Sequence, residues 1–285
     1  MDKCENIKQL RYNEKYFTDK EKEQIKDMYL NGNSTVKIGK LFNVSNHVIS
    51  KVLDSFGIKR TGVGRRKYSL DEYYFDEINT HNKAYCLGFL YADGCNMKNK
   101  STISMSLEEG DKDILELIRN EINVDRELEF IDYSDKHDFG YTYKNQYRLL
   151  MFSAHMCRVL EGYGMTPNKS LTLKFPKIDE QFMPDFIRGI FDGDGSVYNG
   201  NKKSKFTLTI TSTNDFCKEL VKIVEKTLYI NCHIYDASNH NGITKVFSIS
   251  GRNQVKTFLD WIYKDAEMFL ERKYQRYIKY FYNVA

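Results

Sequence analysis

The stretch "FIRGIFDGDGSV", residues Phe186 to Val197, decides how this chain is read. Six residues have the character of a mostly apolar helix. Two aspartates then follow, Asp192 and Asp194, each before a glycine. A helix C-terminus carries a partial negative charge, so carboxylates there sit at the wrong pole. Either something compensates Asp192 and Asp194, or both are solvated in a turn. Gly195 is expected just past the helix end with positive φ, a conformation that glycine adopts freely.

A second copy lies 101 residues earlier: "YCLGFLYADGCN", Tyr85 to Asn96. Gly88 matches Gly189, Asp93 matches Asp194 and Gly94 matches Gly195. An alternating strand is expected after each copy, 101–107 with Ile103, Met105 and Leu107 inward, and 206–211 with Phe206, Leu208 and Ile210 inward. The intervening Ser and Thr residues would form an outward row of hydroxyls. A helix follows (111–120; 214–227), then a further strand (147–153; 244–250) and another helix. One mixed α and β unit is therefore used twice.

Gly88 and Gly189 lie mid-helix, where glycine costs about 1 kcal/mol relative to alanine. Ala92 and Gly193, four residues on, share their helix face. Matching stripes of small residues predict two helices packed with their backbones close. Asp93 and Asp194 would then emerge side by side at one end. Two carboxylates held together need a cation, and a divalent metal bound by hard oxygen ligands is the natural answer.

The first 67 residues differ in character. They carry 15 Lys and Arg against 8 Asp and Glu, whereas the rest carry 28 against 31. Thr18 and Glu21 form a capping-box pattern before Ile25, Met28 and Tyr29. A second helix from about Ser34 offers Val36, Ile38, Leu41 and Phe42 as buried candidates. A turn at 43–45 leads to a third, with Val48, Ile49, Val52 and Leu53 inward. Three short helices with a tight turn before the last match a helix-turn-helix. Ser45, Asn46, His47, Ser50 and Lys51 would face DNA, and the basic linker 59–67 would place Arg65, Arg66 and Lys67 in a minor groove. Residues 1–58 are thus read as a DNA-binding domain, 59–67 as a flexible linker, and 68–175 and 176–285 as the two repeats.

Six scattered cysteines form no C-x-x-C pair, which argues against structural zinc or a disulfide framework and for a reducing, intracellular setting. No apolar run approaches the ~20 residues of a membrane span, and the N-terminus lacks a signal-peptide core. A cytoplasmic location is expected. No histidine occupies matching positions in the two repeats, and Asn239 to Gly242 reads as a hairpin turn.

"CLGFLYADG" and "IRGIFDGDG" resemble the two signature helices of the LAGLIDADG homing endonucleases, over roughly residues 68–285. "GMTPNKSLTLKFP" (164–176) and "FLERKYQRY" (269–277) resemble further family segments. The resemblance implies an α+β fold of two pseudosymmetric αββαββα repeats, packed through their motif helices, with a saddle of strands on double-stranded DNA. It also implies a monomer, since two motifs complete one active site. It makes Asp93 and Asp194 catalytic metal ligands, for Mg2+, and places active-site lysines at Lys169 and Lys273, with Arg272 the rival for the latter. Two-metal chemistry would then cut one phosphodiester on each strand. A free-standing or intron-encoded mobile-element enzyme is expected. The alternatives are a non-catalytic DNA-binding regulator on the same fold and an RNA maturase for intron splicing. The motif's first acidic position is Tyr91 in copy one and Asp192 in copy two, so the two half-sites should differ.

Overall fold

The structure is a computed structural model that describes residues 17–58, 68–97, 101–134, 137–138, 141–200, 206–237 and 244–282. The chain divides into two compact units, Met1–Lys67 and Tyr68–Ala285.

Three helices form the first unit: α1 (Asp19–Leu30), α2 (Thr35–Phe42) and α3 (Asn46–Ser55). The Thr18 hydroxyl accepts from the Glu21 amide at 3.2 Å while the Glu21 carboxylate accepts from the Thr18 amide at 2.9 Å, closing the capping box. Ser34 caps α2, and Asn43 ends it in the left-handed region at φ 55°. Ile25, Ile38, Ile49, Val52 and Leu53 make the core. Two expected core residues of α2 lie outside it: Val36 is 51% and Leu41 63% exposed. The inward stripe of this short helix is Ile38, Gly39 and Phe42, and at about 100° per residue Val36 and Leu41 fall on its two flanks. Ser50 is also corrected, being buried beside Ile49 rather than facing outward.

The second unit carries the repeat. Copy one runs α4 (His81–Asp93), β1 (Gly94–Asn96), β2 (Thr102–Glu108), α5 (Lys112–Glu121), β3 (Glu129–Ile131), a small hairpin of β4 (His137–Asp138) and β5 (Tyr141–Thr142), β6 (Gln146–Phe152) and α6 (Ala154–Tyr163). Copy two runs α7 (Met183–Asp194), β7 (Gly195–Asn199), β8 (Phe206–Thr213), α8 (Asn214–Leu228), β9 (Cys232–Asp236), β10 (Thr244–Ser250) and α9 (Arg252–Tyr263), followed by α10 (Glu271–Phe281). The two antiparallel sheets have the same order, β1-β2-β6-β3 and β7-β8-β10-β9. Alternation puts Ile103, Met105 and Leu107, and in the other sheet Phe206, Leu208 and Ile210, into the core. Thr102 is buried too, so the outward hydroxyl row begins at Ser104. The outer strands β3 and β9 are short or exposed along their length, which is why apolar patterning does not mark them. The expected turn at 239–242 lies outside the described residues. No helix among the described residues is long and apolar enough to cross a membrane.

Helices α4 and α7 occupy the centre. Every residue from Ala84 to Tyr91 is buried, as is every residue from Asp185 to Asp192. Burial on all sides explains why α4 shows no apolar face. Each passes directly into a strand. Gly94 has φ −77° and Gly195 φ −79°, both extended, so the left-handed cap expected at Gly195 is not formed. Closeness explains the glycines instead: a Cβ on Gly195 would lie 2.2 Å from Phe191 Cδ2, and one on Gly94 2.5 Å from Leu90 O. Each glycine pairs opposite a buried apolar residue of the next strand, Met105 or Ile210.

Candidate active site

The site begins with the contact between α4 and α7. A Cβ on Gly88 would sit 2.0 Å from Phe186 O, and one on Gly189 would sit 2.3 Å from Tyr85 O. At the C-terminal end, a Cβ on Gly193 would lie 2.2 Å from Ala92 Cβ and 2.8 Å from Asp93 Oδ2. The Asp93 carboxylate thus lies over the backbone of Gly193, next door to Asp194.

Neither the Asp93 nor the Asp194 carboxylate has a hydrogen-bond or ion-pair partner among the described residues. Burial pushes the Asp93 carboxyl up to about 6, and the charge of Asp194 adds to the shift, while Lys273 and Lys169 oppose it. Asp194 is also pushed up by its crowded surroundings against the pull of both lysines, although its outer side is open to solvent.

Two lysines reach this end from distant segments. Lys169, in a 3-10 turn (Lys169–Leu171) after α6, donates to Ala92 O at 2.7 Å. Lys273, in the first turn of α10, donates to Phe191 O at 2.7 Å, Gly193 O at 3.1 Å and Gly195 O at 2.5 Å. Ala92 and Gly193 are equivalent positions, so each amine bonds carbonyls at the C-terminal end of its own motif helix. Burial lowers both amines, Lys273 to about 8. Arg272 points elsewhere, forking onto Asp111 at 2.8 to 3.0 Å, which leaves Lys273 as the amine in the site.

The two aspartates of the opening stretch have different fates. Asp192 is fully buried and accepts from Tyr85 Oη at 2.9 Å, Tyr263 Oη at 2.7 Å and the Leu270 amide at 2.8 Å. Tyr91, its counterpart, donates its hydroxyl to Tyr163 O. Sequence reasoning missed Tyr85 and Tyr263, because tyrosines in apolar helices read as ordinary core. It also missed Arg188, buried and bonded to Met268 O, Ile262 O and Asp185, which joins α7 to the chain leading into α10. An arginine amid "FIRGIF" was the visible signal.

Around these groups the surface is concave. A cleft of about 500 Å³ is lined by Asp93, Ser106, Asp111, Lys144 and Arg272, among others. A second cavity of about 230 Å³ is lined by Ser196, Lys273, Arg276 and Tyr280, among others. Two adjacent carboxylates without partners are a hard-oxygen donor set that fits a magnesium ion. No group of three or more His, Cys, Asp or Glu assembles among the described residues. Of the residues expected to face DNA in the first unit, Ser45, Asn46, His47 and Lys51 are exposed on or just before α3 and Ser50 is not. Arg65, Arg66 and Lys67 lie outside the described residues.

A family model described as a LAGLIDADG-like domain matches residues 182–263. No curated protein sequence matches the chain. The homing endonuclease I-WcaI, solved bound to its DNA recognition sequence, is similar over 81% of this chain and 98% of its own, at 15% identity and a TM-score of 0.52. The LAGLIDADG homing endonuclease I-GzeII, in complex with its DNA target, is similar over 69% and 87%, at 14% identity and a TM-score of 0.49. Full-length DUF199/WhiA from Thermatoga maritima is similar over 75% of this chain and 66% of its own, at 16% identity and a TM-score of 0.45. This chain therefore spans about two-thirds of the WhiA length. The family match and the likeness to I-WcaI establish the fold: α+β, two four-stranded antiparallel sheets carried by paired helices, the LAGLIDADG fold.

Proposed function

We propose that the chain is a site-specific, metal-dependent DNA endonuclease of the homing type that cuts one phosphodiester on each strand of a long site. One observation carries this reading: Asp93 and Asp194 are adjacent and without partners among the described residues, and each stands beside a lysine amine fixed on its own helix end. A structural role would not need two raised carboxyls left without donors. The fold shared with I-WcaI, itself bound to DNA, supports the same reading.

Asp93 and Asp194 would hold Mg2+, which when bound activates water and stabilises charge on the phosphate and the leaving oxygen. Lys169 and Lys273 supply fixed positive charge where that phosphate charge builds. Their roles differ in detail. Lys273 gives its donors to three carbonyls and acts as a placed charge. Lys169 gives one to Ala92 and keeps others for water or phosphate. The Ser and Thr side chains of β2 and β8 offer hydroxyls along the sheet surfaces to the DNA. One chain holds both half-sites and acts as a monomer.

The N-terminal helices, read as a helix-turn-helix, add a tethered second contact through Ser45, Asn46, His47 and Lys51, with Arg65, Arg66 and Lys67 on the adjoining groove. Ser50 is removed from that set by its burial. The test is cleavage of a supercoiled random-site plasmid library with Mg2+ or with EDTA, beside Asp194→Asn. Linear product that needs metal and is lost in the variant supports the nuclease. Specific DNA binding with no cut in Mg2+ or Mn2+ would instead make the chain a regulator.

A further inference from the structure

The active-site lysines do not belong to the helices they cap, so each must be delivered there by its own segment. In copy two the delivery is visible as a closed loop of bonds. Asp192 accepts the amide of Leu270, the residue that precedes α10. The Lys273 amide bonds to Leu270 O at 2.9 Å. The Lys273 amine then returns to the carbonyls of Phe191 and Gly193, the two residues that flank Asp192. A carboxylate of α7 holds the N-terminus of α10, and an amine of α10 holds the C-terminus of α7. Tyr85 and Tyr263 keep Asp192 pointed at Leu270 by filling its other acceptor sites.

Copy one has a tyrosine at the equivalent position, yet the same job is done with donor and acceptor exchanged. The Tyr91 hydroxyl donates to Tyr163 O, the last residue of α6, and the chain turns there through Gly164 at φ 112°. Lys169 follows six residues later and returns to Ala92 O, the residue after Tyr91. In both copies the position two residues before the last motif aspartate grips the segment that carries the lysine.

We infer that Tyr91 and Asp192 are positioning residues, each holding the lysine-bearing segment of its own half-site and not that of the other. They touch no substrate; they act through Lys169 and Lys273 respectively. The bonds of each grip are confined to one copy except for the Tyr85 hydroxyl, so loosening one leaves the other lysine where it is.

The first test reads the lysines directly and needs no catalysis. The full chain in EDTA is treated with acetic anhydride at one fixed pH, and acetylation is followed residue by residue by mass spectrometry. Tyr91→Phe should acetylate Lys169 about tenfold faster, the scale of one lost hydrogen bond, with Lys273 unchanged. Asp192→Asn should do the reverse. Equal rates in wild type and variant, or faster labelling of the opposite lysine, overturn the inference. Tyr91→Phe removes one hydroxyl and little volume, so it decides the matter even where Asp192→Asn lowers the yield of folded protein.

The second test rests on the nuclease reading. On a substrate labelled on each strand, Tyr91→Phe should slow the same strand as Lys169→Met, by roughly 10- to 100-fold, and Asp192→Asn the strand slowed by Lys273→Met. Adding Tyr91→Phe to Lys169→Met should slow cleavage no further. Slowing of both strands alike by either variant overturns the inference. If the wild type cuts neither strand, the nuclease reading fails, and the acetylation result still decides the positioning roles.

Discussion

The C-terminal ends of α4 and α7 are the same device built with different parts. Both pass into a strand through an extended glycine, and both have a lysine amine on the equivalent carbonyl, Ala92 or Gly193. Both present an aspartate with no partner among the described residues. Behind that common face the two diverge. Copy two uses a buried carboxylate with three donors, an amine bonded to three carbonyls and a terminal helix of its own. Copy one uses a tyrosine hydroxyl, an amine with one carbonyl and a single 3-10 turn. The comparison teaches what is constrained. Two charges of each sign must stand at fixed points, while the carbonyls and buried groups behind them need only be satisfied, and several hydrogen-bond arrangements do that.

The largest effect is expected from separating the helices that both copies share. Gly88→Ala or Gly189→Ala drives a methyl into backbone atoms of the partner helix, where nothing can move aside cheaply. A loss of about 3–5 kcal/mol is expected, and urea unfolding reads it. Both half-sites should fail together, unlike any change at one end.

Removing one carboxylate should affect one half-site only. Asp93→Asn should leave one strand cut and slow the other by roughly 10²- to 10³-fold, turning supercoiled plasmid into open circles. Asp194→Asn should leave the opposite strand intact.

Stability gives a smaller, signed effect. The Asp93 carboxyl binds its proton more tightly when folded, near 6 against an ordinary 3.8, so it destabilises the metal-free fold above pH 6. That penalty is relieved as the pH falls from 6 towards 4. In EDTA at pH 7, Asp93→Asn should therefore stabilise the protein by about 1–3 kcal/mol, and the variant should lose this part of the pH dependence. Thermal melts across that range check it, and added Mg2+ should narrow the difference by stabilising only the wild type.

The smallest effect is expected at the fork from Arg272 to Asp111, which joins α10 to copy one. The arginine is half-exposed, so Arg272→Gln should cost at most about 1 kcal/mol. A loss much larger than this would mean that the fork, and not the Asp192 network, holds α10 in place.

The features legible in the sequence are local or repeated. The doubled motif, the glycines spaced along each helix and the alternating strands that follow all depend on near neighbours, and two copies make the pattern legible. The paired backbones at Gly88 and Gly189 follow from that, because only close approach explains bare positions in two matching helices. Other features had no local signature. A glycine after a helix serves a left-handed turn or a tight contact, and the sequence is the same for both, so at Gly195 only the contact with Phe191 tells them apart. Asp192 and Asp194 stand two residues apart with glycine after each, yet one is sealed under two tyrosines and an amide and the other is left open. The partners of Asp192 come from Tyr85, Tyr263 and Leu270, some 70 to 110 residues distant. Which carboxylate is satisfied is set by the folded chain, because a hydrogen bond depends on where the chain returns in space, and spacing along the chain does not carry that information.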